Sequence, residues 1–96
     1  MVQRKQNKMT PTEVKQAADE MVEMFMPFAY YNPESANILK EQVSNATRIA
    51  IAHCKRVIEE LEEITFSRYD NHARSSIENR INHYRLILSE LEGRVK

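Results

Sequence analysis

Little in this 96-residue chain offers reactive chemistry. It has no tryptophan, one glycine, one cysteine and three prolines, and its fourteen basic residues balance fourteen acidic ones. With Gly93 as the sole glycine there is no glycine-rich phosphate loop. With Cys54 as the sole cysteine there is no internal disulfide. The zero net charge removes any global electrostatic reason to approach nucleic acid or an anionic membrane, so only local patches remain. No signal-peptide pattern and no apolar run of about 18 residues is present, so a cytoplasmic location or one inside a particle is expected, with no membrane partner.

What is present favours helix. Apolar residues make up 42% and charged residues 29%, a composition for an ordered, helix-rich single domain. A chain of this size buries only about 60–65% of its unfolded surface, so its core is modest and self-association is a natural supplement.

Residues 1–9 carry Arg4, Lys5 and Lys8 with no acid and read as a flexible basic arm. Residues 10–96 form the single helical domain. Thr10-Pro11-Thr12-Glu13 opens a helix, with Thr10 as cap, Pro11 in the first helical position and Glu13 completing a capping box. Val14, Ala17, Ala18, Met21 and Phe25 then recur at spacings of three and four on one stripe. Pro27 ends this helix near Met26. The segment FMPFAYYNP connects it to a long second helix over residues 33–64, with Asn32 as cap candidate and Pro33 as first helical residue, or a start a little later at Ser35.

That second helix is expected to be a spine. Its stripe is Leu39, Val43, Ala46, Ala50, His53 or Cys54, Val57, Leu61 and Ile64, with Ile51 and Ile58 to one side and Ile38 and Ile49 to the other. The middle is therefore apolar over more than half its circumference and needs at least two neighbours. A third helix follows over residues 71–92, burying Ile77, Ile81, Tyr84, Ile87, Leu88 and Leu91, with Leu86 on the opposite side and Gly93 in the usual stopping position. Glu59, Glu60, Glu62 and Glu63 before the last turn, and Arg68, Arg74 and Arg80 after it, favour an antiparallel hairpin. The fold class is all-α: three helices around a long spine. Both ends of the spine outrun the other two helices, so a homodimer is expected to complete the bundle, with a compact three-helix monomer as the alternative.

Chemical candidates are few. Cys54 on the apolar stripe reads as a small buried hydrophobe, and His53 as a core histidine. His72 and His83 read as solvated polar positions, with no carboxylate three or four residues away to make a metal pair. Arg48 and His53 match the loose arginine, four residues, histidine pattern of HEPN-type ribonucleases. The chain is short for that fold, however, and has no broad basic groove. Neither a catalytic residue, a cofactor nor a metal is expected. The aromatics of FMPFAYY are read either as a plug for the open end of the helical layer or as a recognition surface. The candidate interaction surface comprises Phe25, Phe28, Tyr30, Tyr31, Ile38, Ile49, Ile51, Ile58 and Leu86. An alternative nucleic-acid-binding surface uses Arg4, Lys5 and Lys8 with Arg68, Arg74, Arg80 and Arg85.

Three segments in order, AADEMVEMFMPF, NATRIAIAHCKRVIEELEEI and HYRLILSELE, resemble a group of small helical proteins encoded by phages and prophages of Bacteroides-type bacteria. The resemblance covers most of residues 17–92 and rests on amphipathic patterns rather than on a chemical signature. It implies a phage-associated protein without assigned activity, acting in the host cytoplasm or within a phage particle. It supplies no catalytic residues. The function expected from the whole reading is a non-enzymatic helical interaction module, whose partner is a second copy or a larger viral or host protein.

Overall fold

A computed structural model describes residues 9–65 and 71–95; the side chains of residues 65 and 71–74 lie outside that description. Three helices account for most of the described chain: α1 (Pro11–Phe25), α2 (Ile38–Thr65) and α3 (Asn71–Arg94). They pack against one another in all three pairings, with α2 and α3 in the most extensive contact. The thinnest dimension is 21 Å, about two helix diameters, so no point of the core lies deep.

α1 starts as its sequence dictates. The Thr10 amide donates to Glu13 Oε1 at 2.9 Å and the Glu13 amide donates to Thr10 Oγ1 at 3.1 Å, a reciprocal capping box with Pro11 just inside it. Val14, Ala18, Met21 and Val22 are buried, while Ala17 and Phe25 are half-buried. After Phe25 a single 3-10 turn, Met26–Phe28, breaks the helix at Pro27 and ends with the Ala29 amide donating to Met26 O.

α2 begins at Ile38, five residues after the position expected from Pro33. Local turns capture the donors a helix start would need. Asn32 Oδ1 accepts from the Glu34 amide, Asn32 O from the Ser35 amide, and Ser35 Oγ from the Asn37 amide. Helical pairing begins only where the Glu41 amide donates to Asn37 O. The helix still has 28 residues and a length of about 42 Å, against 15 residues in α1 and 24 in α3. Its buried line runs Ala46, Ala50, Cys54 and Ile58 in steps of four, rather than through His53 or Val57. Four residues at about 100° each exceed one turn by about 40°, so this line drifts around α2 and lets α1 and α3 share it.

α2 and α3 are antiparallel. The ion pairs Lys55–Glu92 and Glu62–Arg85 advance along one helix as they retreat along the other. The acidic end of α2 does meet an arginine of α3, but through Arg85; Arg68 and the side chain of Arg74 lie outside the described residues, and Arg80 is exposed. Ile81, Ile87 and Leu91 are buried and Ile77, Tyr84 and Leu88 half-buried, the stripe expected from the sequence. At the far end Arg94 ties α3 to α1 by pairing with Asp19 at 2.8 Å and donating to Lys15 O at 3.4 Å, while Glu90 holds its Nε. The core joins Ala18, Met21 and Val22 of α1, Ala46, Ala50 and Cys54 of α2, and Ile87 and Leu91 of α3.

Gly93 is not a stop. It lies within α3, which runs to Arg94, and no glycine has a positive φ. A Cβ built there meets nothing within 4 Å. Gly93→Ala is therefore expected to stabilise the fold by about 0.5–1 kcal/mol, read by urea or thermal unfolding; a loss of stability would mean that the chain needs a left-handed residue there. Leu91→Ala, at the fully buried meeting point of the helices, is expected to cost roughly 2–5 kcal/mol in the same assay.

Candidate interaction surface

The connection over residues 26–37 forms a strap along the first turns of α2, held by its backbone. Gln42 Nε2 donates to Met26 O at 3.0 Å, Asn45 Nδ2 donates to Tyr30 O at 2.6 Å, and the Asn32 amide donates to Glu41 Oε1 at 3.1 Å. Asn45 lies three and four residues from Gln42 and Glu41, so the three fall within an arc of about 100° on one side of α2. They supply hydrogen bonds for a segment whose own regular structure is limited to the 3-10 turn Met26–Phe28. With its main chain turned toward this polar face, the strap buries only Ala29 and half-buries Met26 and Ser35.

Its large side chains go the other way. Phe28 is 76% exposed and Tyr30 70%, so the aromatics do not plug the helical layer; Tyr31 is also exposed. Beside them, Ile38, Leu39 and Val43 of α2 are exposed, Leu39 at 68%. At about 100° per residue Leu39 and Val43 fall within the arc occupied by Ala46, Ala50 and Cys54. The face that is core in the middle of α2 thus continues, uncovered, to its N-terminal end.

The other candidate residues separate. Ile58 is buried inside the bundle, and Phe25, Ile49 and Ile51 are half-buried against the core. Leu86 is exposed at the opposite end of α1, in a groove with Met9, Pro11 and Val14. Phe28, Tyr30, Tyr31 and Ile38 are thus exposed on the strap and the first turn of α2, while Leu86 lies at the other end of α1. Leu39 and Val43 belong with the strap group, although their periodicity assigned them to the core. The signal that finds them is length: α2 outruns both neighbours, so part of its apolar stripe has no helix to meet.

The residues with chemical potential are dispersed. Cys54 is fully buried with its Sγ 3.4 Å from Met21 Sδ, and burial pushes its thiol from 9.0 up to about 11. His53 is exposed, not a core histidine. Its ring lies between those of Phe25 at 5.5 Å and Tyr84 at 6.4 Å, at the edge of an open groove that Arg56, Glu59 and Glu60 also line. Arg48 is exposed on the same helix, but five residues place it about 140° around the axis from His53, so the two do not converge on one substrate. His83 is half-buried, and the side chain of His72 lies outside the described residues. Among the described residues no group of three or more histidine, cysteine, aspartate or glutamate side chains is placed to hold a metal ion, and no helix is long and apolar enough to cross a membrane.

Of the basic candidates, Arg85 is held by Glu62 and Arg80 is exposed, while Arg4, Lys5, Lys8, Arg68 and the Arg74 side chain fall outside the described residues. The chain matches no protein-family model, no curated protein and no solved structure.

Two tests follow from this geometry. Asn45→Ala removes the donor to Tyr30 O and is expected to cost about 1 kcal/mol and to speed amide exchange in residues 29–32; unchanged exchange there would mean the strap is held by something else. The thiol contributes to stability through its protonated form, so that contribution is complete below pH 9 and is lost as pH rises from 9.0 toward about 11. At pH 8 an aromatic disulfide reagent is expected to leave native Cys54 unmodified and to react promptly in denaturant. Fast native reaction would contradict the burial.

Proposed function

We propose that this chain is a non-enzymatic helical interaction module whose contact surface is the end of the molecule formed by the strap and the first turns of α2. The observation that carries the reading is the exposed continuation, at Leu39 and Val43, of the face that α2 buries in the core, at the same end of the molecule as the exposed Phe28 and Tyr30 of the strap. The largest apolar patch on a typical single chain is about 300–600 Å2 and is often functional, so exposed apolar groups gathered at one end of the molecule are a natural place for association. Burying a side chain such as Leu39 or Phe28 contributes about 1.5–3 kcal/mol each, so a few such groups are enough to drive binding.

The state of the reactive groups supports the same reading from the other side. The thiol is buried and held in its protonated form, and Arg48 and His53 point away from each other. The resemblance to small helical phage proteins is what supports a phage-associated role, in host cytoplasm or particle.

The test is co-purification from producing cells with the native chain and with a Phe28→Ser/Leu39→Glu variant that keeps the native helical circular dichroism signal. Protein recovered with the native chain, another copy or a different polypeptide, is expected to be lost from the variant by at least tenfold. Equal recovery by both chains, or loss only on substituting Leu86, would contradict the assignment.

A further inference from the structure

We infer that the occupant of this surface is a second copy of the same chain, joined about a two-fold axis that crosses the N-terminal turns of α2. The inference rests on the surface assignment above and adds the identity of the partner. Three observations favour a second copy.

The first is area. With aromatic side chains carrying about 150–250 Å2 each, the exposed portions of Phe28, Tyr30, Tyr31, Ile38, Leu39 and Val43 present on the order of 500 Å2. Two copies facing each other remove roughly twice that, about 1,000 Å2, the lower bound for a specific interface before any polar rim is added.

The second is charge. Between residues 24 and 43, the span that makes up this surface, the charged residues are Glu34, Lys40 and Glu41, and the whole chain is neutral. With two acids and one base on each end, bringing two such ends together sets up little like-charge repulsion.

The third is symmetry. A two-fold contact uses the same patch on both copies, so the patch must complement itself. Leu39 and Val43 stand one helical turn apart on an uncovered stripe, and an antiparallel crossing centred between them sets Leu39 against Val43 of the second copy and repeats that contact by symmetry. Lying beside α2, Phe28 and Tyr30 then cover the sides of the crossing. Together these contacts extend the core of one copy into the other, which is what the short core of each copy lacks.

Light scattering coupled to size exclusion on the full chain, from micromolar to submillimolar concentration, tests this. The expected result is a mass that rises to twice the 11.3 kDa of one chain in the native protein and stays at one chain in Leu39→Glu and Val43→Glu variants that alter exposed positions and keep the native helical circular dichroism signal. Native protein that stays at single-chain mass throughout overturns the second-copy identity while leaving the surface itself available to another polypeptide. Native protein that doubles in mass but is dissociated only by Leu86→Glu overturns both the second-copy contact and the surface assignment.

Discussion

The dominant constraint on this molecule is a mismatch of length. A helix of 28 residues is packed by one of 15 and one of 24, and neither neighbour follows α2 to its N-terminus. Where all three overlap, small residues let the axes approach: Ala18, Ala46, Ala50 and Cys54 are completely buried, with Leu91 filling the space between them. Away from the overlap the same face of α2 carries larger residues, Leu39 and Val43, which stay exposed among the described residues. A packed centre and an open end are thus consequences of one helix being longer than its partners.

The strap shows how the chain manages that end without closing it. Covering Leu39 and Val43 with Phe28 and Tyr30 would require the strap to cross the apolar face of α2, leaving its main-chain groups to be desolvated with few partners. Instead Glu41, Gln42 and Asn45 draw the strap backbone to the adjacent polar face. Satisfying the backbone sends the aromatic side chains outward. Polar side chains on one face of α2 therefore determine what is displayed next to the apolar stripe, and a helix start delayed to Ile38 by the Asn32 and Ser35 turns leaves the strap long enough to lie there.

Much of the architecture was legible in the residues. The capping box at Thr10 and Glu13, the break at Pro27 and the three-four spacing from Val14 to Met21 are local signals, and local hydrogen bonding and periodicity decided them. So too were the α3 stripe and the antiparallel direction of the last two helices. Less legible was whatever depended on where a neighbouring helix ends. Periodicity placed Leu39 and Val43 on the same stripe as Ala46, which is geometrically right, but periodicity does not report whether a partner is opposite. His53 illustrates the converse: it sits between core positions in sequence, yet the drift of the buried line toward Cys54 and Ile58 leaves it at the surface between two rings. Asn32-Pro33 and Gly93 were misleading because the same residue types serve turns and helix interiors as well as helix ends.

The central claim is that the strap and the N-terminal turns of α2 are open in one chain and covered on association. Hydroxyl-radical footprinting of the unmodified protein across a concentration series tests it most directly, with buried Ile58 and Leu91 as internal references. The account predicts strong oxidation of Phe28, Tyr30 and Leu39 in dilute protein, falling together as concentration rises while the references stay low throughout. Weak oxidation of these residues in dilute protein, or strong oxidation that is the same at every concentration, would contradict it.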